Sequence, residues 1–168
     1  MKQIGLLSDT HGVLPEAVFK HFEDCDEVWH AGDFGGDSVA ERLATFRPLR
    51  GVYGNIDGTD IRSEFPETNI FQIEDVKVAM KHIGGYPGKY APGVREMLKI
   101  TKPRLFISGH SHILKIMFDA AFQWLHINPG AAGIQGWHQV QTLVKFKIDG
   151  KDIKDCVIVE LGKKGKSL

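Results

Sequence analysis

Short apolar runs that stop at a glycine or a charged residue recur along this chain. "KQIGLLS" runs apolar into "DTHG", the pattern of a buried strand followed by a tight turn. "LPEAVFKHFED" instead groups Ala17, Val18, Phe19 and Phe22 after Pro15, as an amphipathic helix that starts near a proline does. "DEVWHAGD" reads as a second strand, "DSVAERLATF" as a second helix that Asp37 or Ser38 would cap, and "PLRGVYGN" as a third strand. This β-α-β-α-β order predicts a parallel sheet with crossover helices.

The pattern changes after residue 68. "NIFQIEDVKVAMKHI" predicts two strands joined at Glu74-Asp75, "APGVREMLKIT" a helix and "PRLFISG" a strand. "ILKIMF", "FQWLHINPG", "QTLVKFKIDG" and "KDIKDCVIVEL" follow as strands with short turns, and Asp149-Gly150 is a hairpin signal. The expectation is one α/β domain over residues 1–168, with a second, more antiparallel sheet added to the first. Residues 162–168, "GKKGKSL", read as a solvated tail.

Composition narrows the partners. The 168 residues carry 21 basic and 21 acidic side chains, enough length for one domain with a real core and no bulk charge to draw a nucleic-acid polymer or a membrane. Cys25 and Cys156 form no CxxC pair, which argues against zinc-thiolate binding and for two free thiols. The apolar stretch Ile4–Leu7 is too short for a signal peptide or a spanning helix, so a cytoplasmic protein is expected.

Ligand-type side chains sit at the predicted strand ends, where loops of such sheets converge. Asp9 and His11 follow the first strand, Asp33 the second and Asn55 the third; His82, then His110 and His112, end later ones. Singly, each is an ordinary turn or core residue. Gly-His-x-His says more, because alternate residues of an extended segment face one way. The seven together are too many for one tetrahedral ion and enough for two ions sharing a carboxylate. Oxygen and imidazole donors without thiolate suit manganese, iron, zinc, cobalt or nickel.

The ordered set Asp9-x-His11, Gly32-Asp33, Gly54-Asn55, His82 and Gly109-His110-x-His112 resembles the calcineurin-like metallophosphoesterase superfamily. The small YfcE-type phosphodiesterases are the nearest group, and the likeness runs from Met1 to about Glu160. It implies an αββα sandwich: two packed mixed β-sheets flanked by helices. It implies two divalent transition-metal ions, manganese first, with iron, zinc, nickel or cobalt as alternatives. Asp9, His11 and His112 would hold one ion, Asn55, His82 and His110 the other, and Asp33 would bridge them, with Asp33, Asn55 and His110 counted as catalytic. The implied reaction is hydrolysis of a small phosphodiester by a hydroxide held between the ions. The alternatives are a phosphomonoesterase, or a weakly active or non-catalytic interaction scaffold of the same fold; self-association is open. His30 would orient Asp33 or be plainly structural.

Departures from the family pattern carry expectations of their own. Gly54-Asn55-Ile56-Asp57 has isoleucine where the superfamily commonly has a histidine that protonates the leaving group. General acid help is typically worth ~10²–10⁴-fold, so a weak or selective catalyst favouring acidic leaving groups is expected unless His138 or Lys89 substitutes. His82-Ile83-Gly84 lacks a second histidine often found there, which would open the substrate side. "YPGKYAPG" reads as a flexible lip or an irregular loop, Asn128 as structural, and Arg62 as a phosphate contact or a surface ion pair. Phe106, Phe118, Phe122 and Trp124 read as sheet core.

Overall fold

Period-two alternation divides the central strands between two apolar layers. The computed structural model describes residues 1–164. In β1 (Lys2–Leu7), Ile4 and Leu6 face one core while Leu7 faces another. β2 (Glu27–His30) and β3 (Leu49–Gly51) lie parallel to β1 in turn. The crossovers carry α1 (Ala17–His21) and α2 (Asp37–Phe46). Val18, Val39, Ala40 and Leu43 of these helices pack with Leu7 and Val28 on the outer face.

A second sheet has the order β4 (Thr68–Ile73), β5 (Val76–Lys81), β8 (Leu105–Ile107), β10 (Trp124–Pro129) and β9 (Leu114–Asp119). β5, β8 and β10 are parallel. Val76, Val78, Met80, Leu105, Ile107 and Ile127 meet Ile4, Leu6 and Trp29 between the sheets. α4 (Val94–Thr101) covers the outer face, where Val94 and Leu98 pack on Ala79 and Phe106. The result is the expected sandwich of two five-stranded mixed sheets flanked by helices.

Several local expectations change. The last two strands, β11 (Val140–Asp149) and β12 (Asp152–Lys163), do not join the second sheet. β11 returns beside β1, antiparallel, with Ile4 opposite Phe146, because Val144, Phe146 and Ile148 fill the inter-sheet core there. The Asp149-Gly150 hairpin forms, with Asp149 opposite Asp152 and Gly150 at φ 59. Gly162 and Lys163 are not tail: they pair with Gln141 and Val140 in β12, while residues 165–168 lie outside the described residues. Neither Asp37 nor Ser38 caps α2, whose N-cap position is Gly36 with no side-chain bond. A short helix, α3 (Thr59–Glu64), follows the third strand loop without an apolar stripe to announce it. "YPGKYAPG" holds a small hairpin, β6 (Gly85–Tyr86) with β7 (Lys89–Tyr90), rather than an irregular loop. Phe106 and Trp124 are core, Phe122 packs beside them, and Phe118 is exposed. Among the described residues no helix is long and apolar enough to cross a membrane, and both cysteines are free.

Candidate metal centre

The carboxyl ends of parallel strands from both sheets meet at one rim. Loops after β1, β2 and β3 deliver Asp9, His11, Asp33 and Asn55; loops after β5 and β8 deliver His82, His110 and His112. The backbone ties these loops to each other. Asp9 N–H donates to Gly32 O (3.0 Å), His11 N–H to Asp33 O (3.0 Å) and Gly109 N–H to His82 O (3.0 Å). Asp9, His11, Asp33, His110 and His112 all have left-handed backbone, with φ of 54, 46, 58, 71 and 62°. That conformation costs an L-residue ~1 kcal/mol or more and concentrates at functional sites. The histidine pair is therefore not extended as its spacing implied. Each residue turns inward through its own left-handed bend, so the two rings serve different neighbours.

The two carboxylates are built alike. Asp9 is buried, and its Oδ2 accepts from Ser8 Oγ (2.6 Å) and His110 N–H (3.1 Å). Asp33 Oδ1 accepts from Ile56 N–H (3.1 Å). In both, the other oxygen faces imidazoles. Asp9 Oδ1 lies 3.1 Å from His112 Nε2, 3.6 Å from His11 Nε2 and 3.8 Å from His82 Nε2. Asp33 Oδ2 lies 3.4 Å from His11 Nε2 and 3.2 Å from His82 Nε2. Glycine is required behind each carboxylate: a Cβ on Gly109 would strike Ser8 Oγ, and one on Gly54 would strike Asp33 Oδ1.

Two candidate metal-binding groups result, Asp9 with His11 and His112, and Asp33 with His82 and His110; the ligand atoms within each group lie within 4.8 Å of one another. Asn55 adjoins the second group, its Oδ1 3.0 Å from His110 Nδ1. The donor set fits divalent ions on a direct observation. Asp9 Oδ1, His11 Nε2 and His82 Nε2 are buried without a hydrogen-bond partner, and all three point into the cluster. Unpartnered buried polar atoms are costly, and a cation among them removes that cost.

The electrostatics agree. Burial alone would raise the Asp9 carboxyl, but the facing imidazoles of His11, His112 and His82 hold it far below the usual carboxylate range. Asp33 is likewise lowered against its burial, by His82 and by the Ile56 N–H. His11 is raised, chiefly by the facing Asp9 carboxylate. His82 is raised despite burial, by Asp33 and Asp9. Burial lowers His110.

Supporting residues set the geometry. The Ala31 carbonyl can only accept, so His82 Nδ1 (2.7 Å) carries a proton and aims Nε2 at the carboxylates. The same logic runs through His138. Its Nε2 donates to Gly133 O (2.7 Å), which leaves Nδ1 of the neutral ring as an acceptor for His112 Nδ1–H (3.2 Å) and frees His112 Nε2. Both ring nitrogens of His138 are thus engaged behind His112, so it does not stand ready as a proton donor. His30 does not touch the Asp33 carboxylate. It accepts from Gly32 N–H (3.1 Å), bonds Thr10 Oγ1 (3.0 Å) and stacks on Phe34, and burial pushes it down to about 3. Arg62 forms no ion pair among the described residues; it donates to the carbonyls of Asp57 (2.6 Å), Asn55 (3.4 Å) and Gly54 (3.5 Å) and lines a pocket with Asn55 and His82. Asn128 is structural, bridging Gly109 O (3.0 Å) and Ser111 Oγ (3.1 Å). Sequence reasoning passed over Asp57, which accepts from Phe34, Gly35 and Gly54 N–H and joins the second and third strand loops. Its position after Gly54-Asn55 was the available signal.

Fold and cluster together define a class, and comparison with known proteins agrees. The chain belongs to the calcineurin-like phosphoesterase superfamily, whose domain model matches residues 1–151. It is 30% identical over 166 residues to a probable metallophosphoesterase of Methanothermobacter thermautotrophicus, covering 95% of this chain and 92% of that one. Among solved structures, one described as a novel archaeal phosphodiesterase superposes with a TM-score of 0.73 at 25% identity, covering 94% of this chain and 99% of that chain. Vps29 of Chaetomium thermophilum has the same fold, with a TM-score of 0.75 at 13% identity and coverage of 97% and 100%.

Because the carboxylates raise His11 and His82, the metal-free cluster holds protons that a cation must displace. Metal uptake at pH 7 is therefore expected to release protons, and affinity is expected to fall as pH drops, starting above the ordinary histidine value of 6.5. Titration calorimetry in buffers of different ionisation enthalpy measures this. Uptake without proton release would contradict it.

Proposed function

We infer that this protein hydrolyses small phosphodiesters with two divalent metal ions held by Asp9, His11, Asp33, Asn55, His82, His110 and His112. One observation carries the reading: buried, unpartnered donor atoms from both sheets converge, with Asp33 Oδ2 between a histidine of each group. That position suits Asp33 to bridge. Manganese is the favoured ion for this oxygen and imidazole set, with iron, zinc, nickel or cobalt as alternatives. When bound, such a pair lowers the pKa of water toward neutrality and offsets charge developing on a phosphoryl oxygen.

The chain's own residues do the rest. Asp9 and Asp33 stay ionised across the physiological range, so the cluster keeps its charge. His110 and Asn55 are its exposed members, while Asp9, Asp33 and His82 are buried. Substrate therefore approaches over His110 and Asn55, and the linked loops hold its phosphorus in place. No serine or cysteine nucleophile is required. The Ile56 side chain stands half exposed beside Asn55 and supplies no proton, so leaving groups that depart as stable anions are preferred. Free Cys25 and Cys156 suit a reducing compartment such as the cytoplasm.

Manganese-loaded protein is expected to turn over bis-p-nitrophenyl phosphate faster than p-nitrophenyl phosphate. Asp33→Asn is expected to lower that rate by about 100-fold or more, on the scale of removing a transition-state charge contact. Full activity in Asp33→Asn would sink the bridging role, and faster monoester turnover would favour a phosphomonoesterase. Ile56→His leaves the backbone N–H on Asp33 in place. It is expected to raise turnover of esters with poor leaving groups by ~10-fold or more while changing p-nitrophenyl ester turnover little. Equal effects on both ester types would contradict the missing-acid reading.

A further inference from the structure

β9 lies at one end of the second sheet, so one side of its backbone has no strand partner. Among the described residues, no main-chain group outside β10 bonds to residues 114–118. Ile116, Met117 and Phe118 are 37%, 43% and 53% exposed. Consecutive residues of a strand face opposite sides, so this edge is uncovered on both faces. Open edges recruit any extended chain, and native proteins blunt them with charge, proline, bulges or short length.

The other edges of the two large sheets are guarded. β3 has three residues. β12 exposes Val157 and Ile158, but its register against β11 shifts twice and it carries Asp152, Lys154, Asp155 and Glu160. β4 exposes one large apolar side chain, Ile70. β9, "LKIMFD", has no proline and pairs with β10 without a shift. Its one cation is drawn aside: Lys115 Nζ stands 4.0 Å from the centroid of the Tyr86 ring. Beside this edge, a cavity of about 750 Å³ between β9 and α4 is lined by Met117, Phe118 and the half-buried Phe122, which widens the apolar surface.

The strand is complementary to itself. Two antiparallel copies related by a two-fold axis set one residue opposite its own copy. With Met117 on the axis, Ile116 meets Phe118 and Lys115 meets Asp119, and each pair forms twice. An axis at Lys115 opposes two lysines, one at Ile116 sets Lys115 against Met117, and one at Phe118 sets Asp119 against Met117. Asp119 already accepts from Tyr90 O–H (2.6 Å) and from the Ala121 and Phe122 N–H groups, and a carboxylate has a further lone pair to offer. We propose that β9 is a homodimer interface: two copies of this chain pair antiparallel through it, centred on Met117, and join their five-stranded second sheets into one of ten strands. β9 begins two residues after His112, so pairing braces the strand on which that metal-centre loop ends. The dimer does not depend on the phosphodiesterase reading.

Sedimentation equilibrium of the full chain through the micromolar range is the test, and a dimer is expected. Met117→Lys and Met117→Glu each set like charges face to face on the axis and should weaken association by about 100-fold or more. An equal mixture of the two variants sets lysine against glutamate and should recover the dimer. Val157→Lys, on the β12 edge, should leave it intact. Met117 is part exposed, so both of its variants should keep the circular dichroism of the unaltered chain. Hydrogen exchange of that unaltered chain reads the interface without a substitution: β9 amides facing away from β10 should be protected when concentrated and exchange freely on dilution. A monomer throughout would overturn the proposal and leave the edge to another protein. A dimer indifferent to both Met117 variants, a mixture that stays monomeric while folded, or fast exchange of those amides at every concentration would overturn it as well.

Discussion

Two buried carboxylates, each with one oxygen fastened and the other left free among imidazoles, are the constraint that organises this molecule. Asp9 Oδ2 and Asp33 Oδ1 are held by N–H and O–H donors from neighbouring loops. Asp9 Oδ1 has no such partner. A buried, ionised oxygen in that state is costly in a closed protein interior and acceptable where a cation is due. Five left-handed backbone positions among the seven cluster residues add to that cost. The sandwich beneath must be rigid enough to hold both.

Two sheets are needed because neither supplies the full donor set. The first sheet's parallel strands contribute both aspartates, Asn55 and His11; the second's contribute His82, His110 and His112. The core between them packs Ile4, Leu6 and Trp29 against Met80, Leu105 and Ile107, which brings the strand tips together. The loops then lock across the gap through His110 N–H on Asp9 and His82 Nδ1 on Ala31 O. Packing, loop hydrogen bonds and cluster geometry thus form one chain of cause, and Gly54 and Gly109 mark where it leaves no room for a Cβ.

Much of this was legible in the sequence. The first three strands, their crossover helices and six of the seven convergent side chains follow from short apolar runs that end in Asp, Asn or His beside glycine, and Asn55 falls next to them. What escaped depended on long-range pairing or on the partner of a polar atom. Nothing local says that β11 returns to β1, since Val144, Phe146 and Ile148 would suit either sheet. α3 has one buried residue, Ile61, and so no apolar stripe. Asp57 reads as a turn residue until its three N–H donors are placed around it. His138 reads as a free acid or base until Gly133 O and His112 occupy both its nitrogens. The resemblance to a known family was legible from the motif order, whereas the place of β9 at a sheet edge depends on strand pairing and is visible only in three dimensions.

Anomalous diffraction from crystals soaked in manganese tests the proposed two-ion centre most directly. Two peaks ~3.5–4 Å apart are expected. One should lie among Asp9, His11 and His112, the other among Asn55, His82 and His110, with the Asp33 carboxylate between them. A single peak, or manganese bound away from these residues, would contradict a two-ion centre.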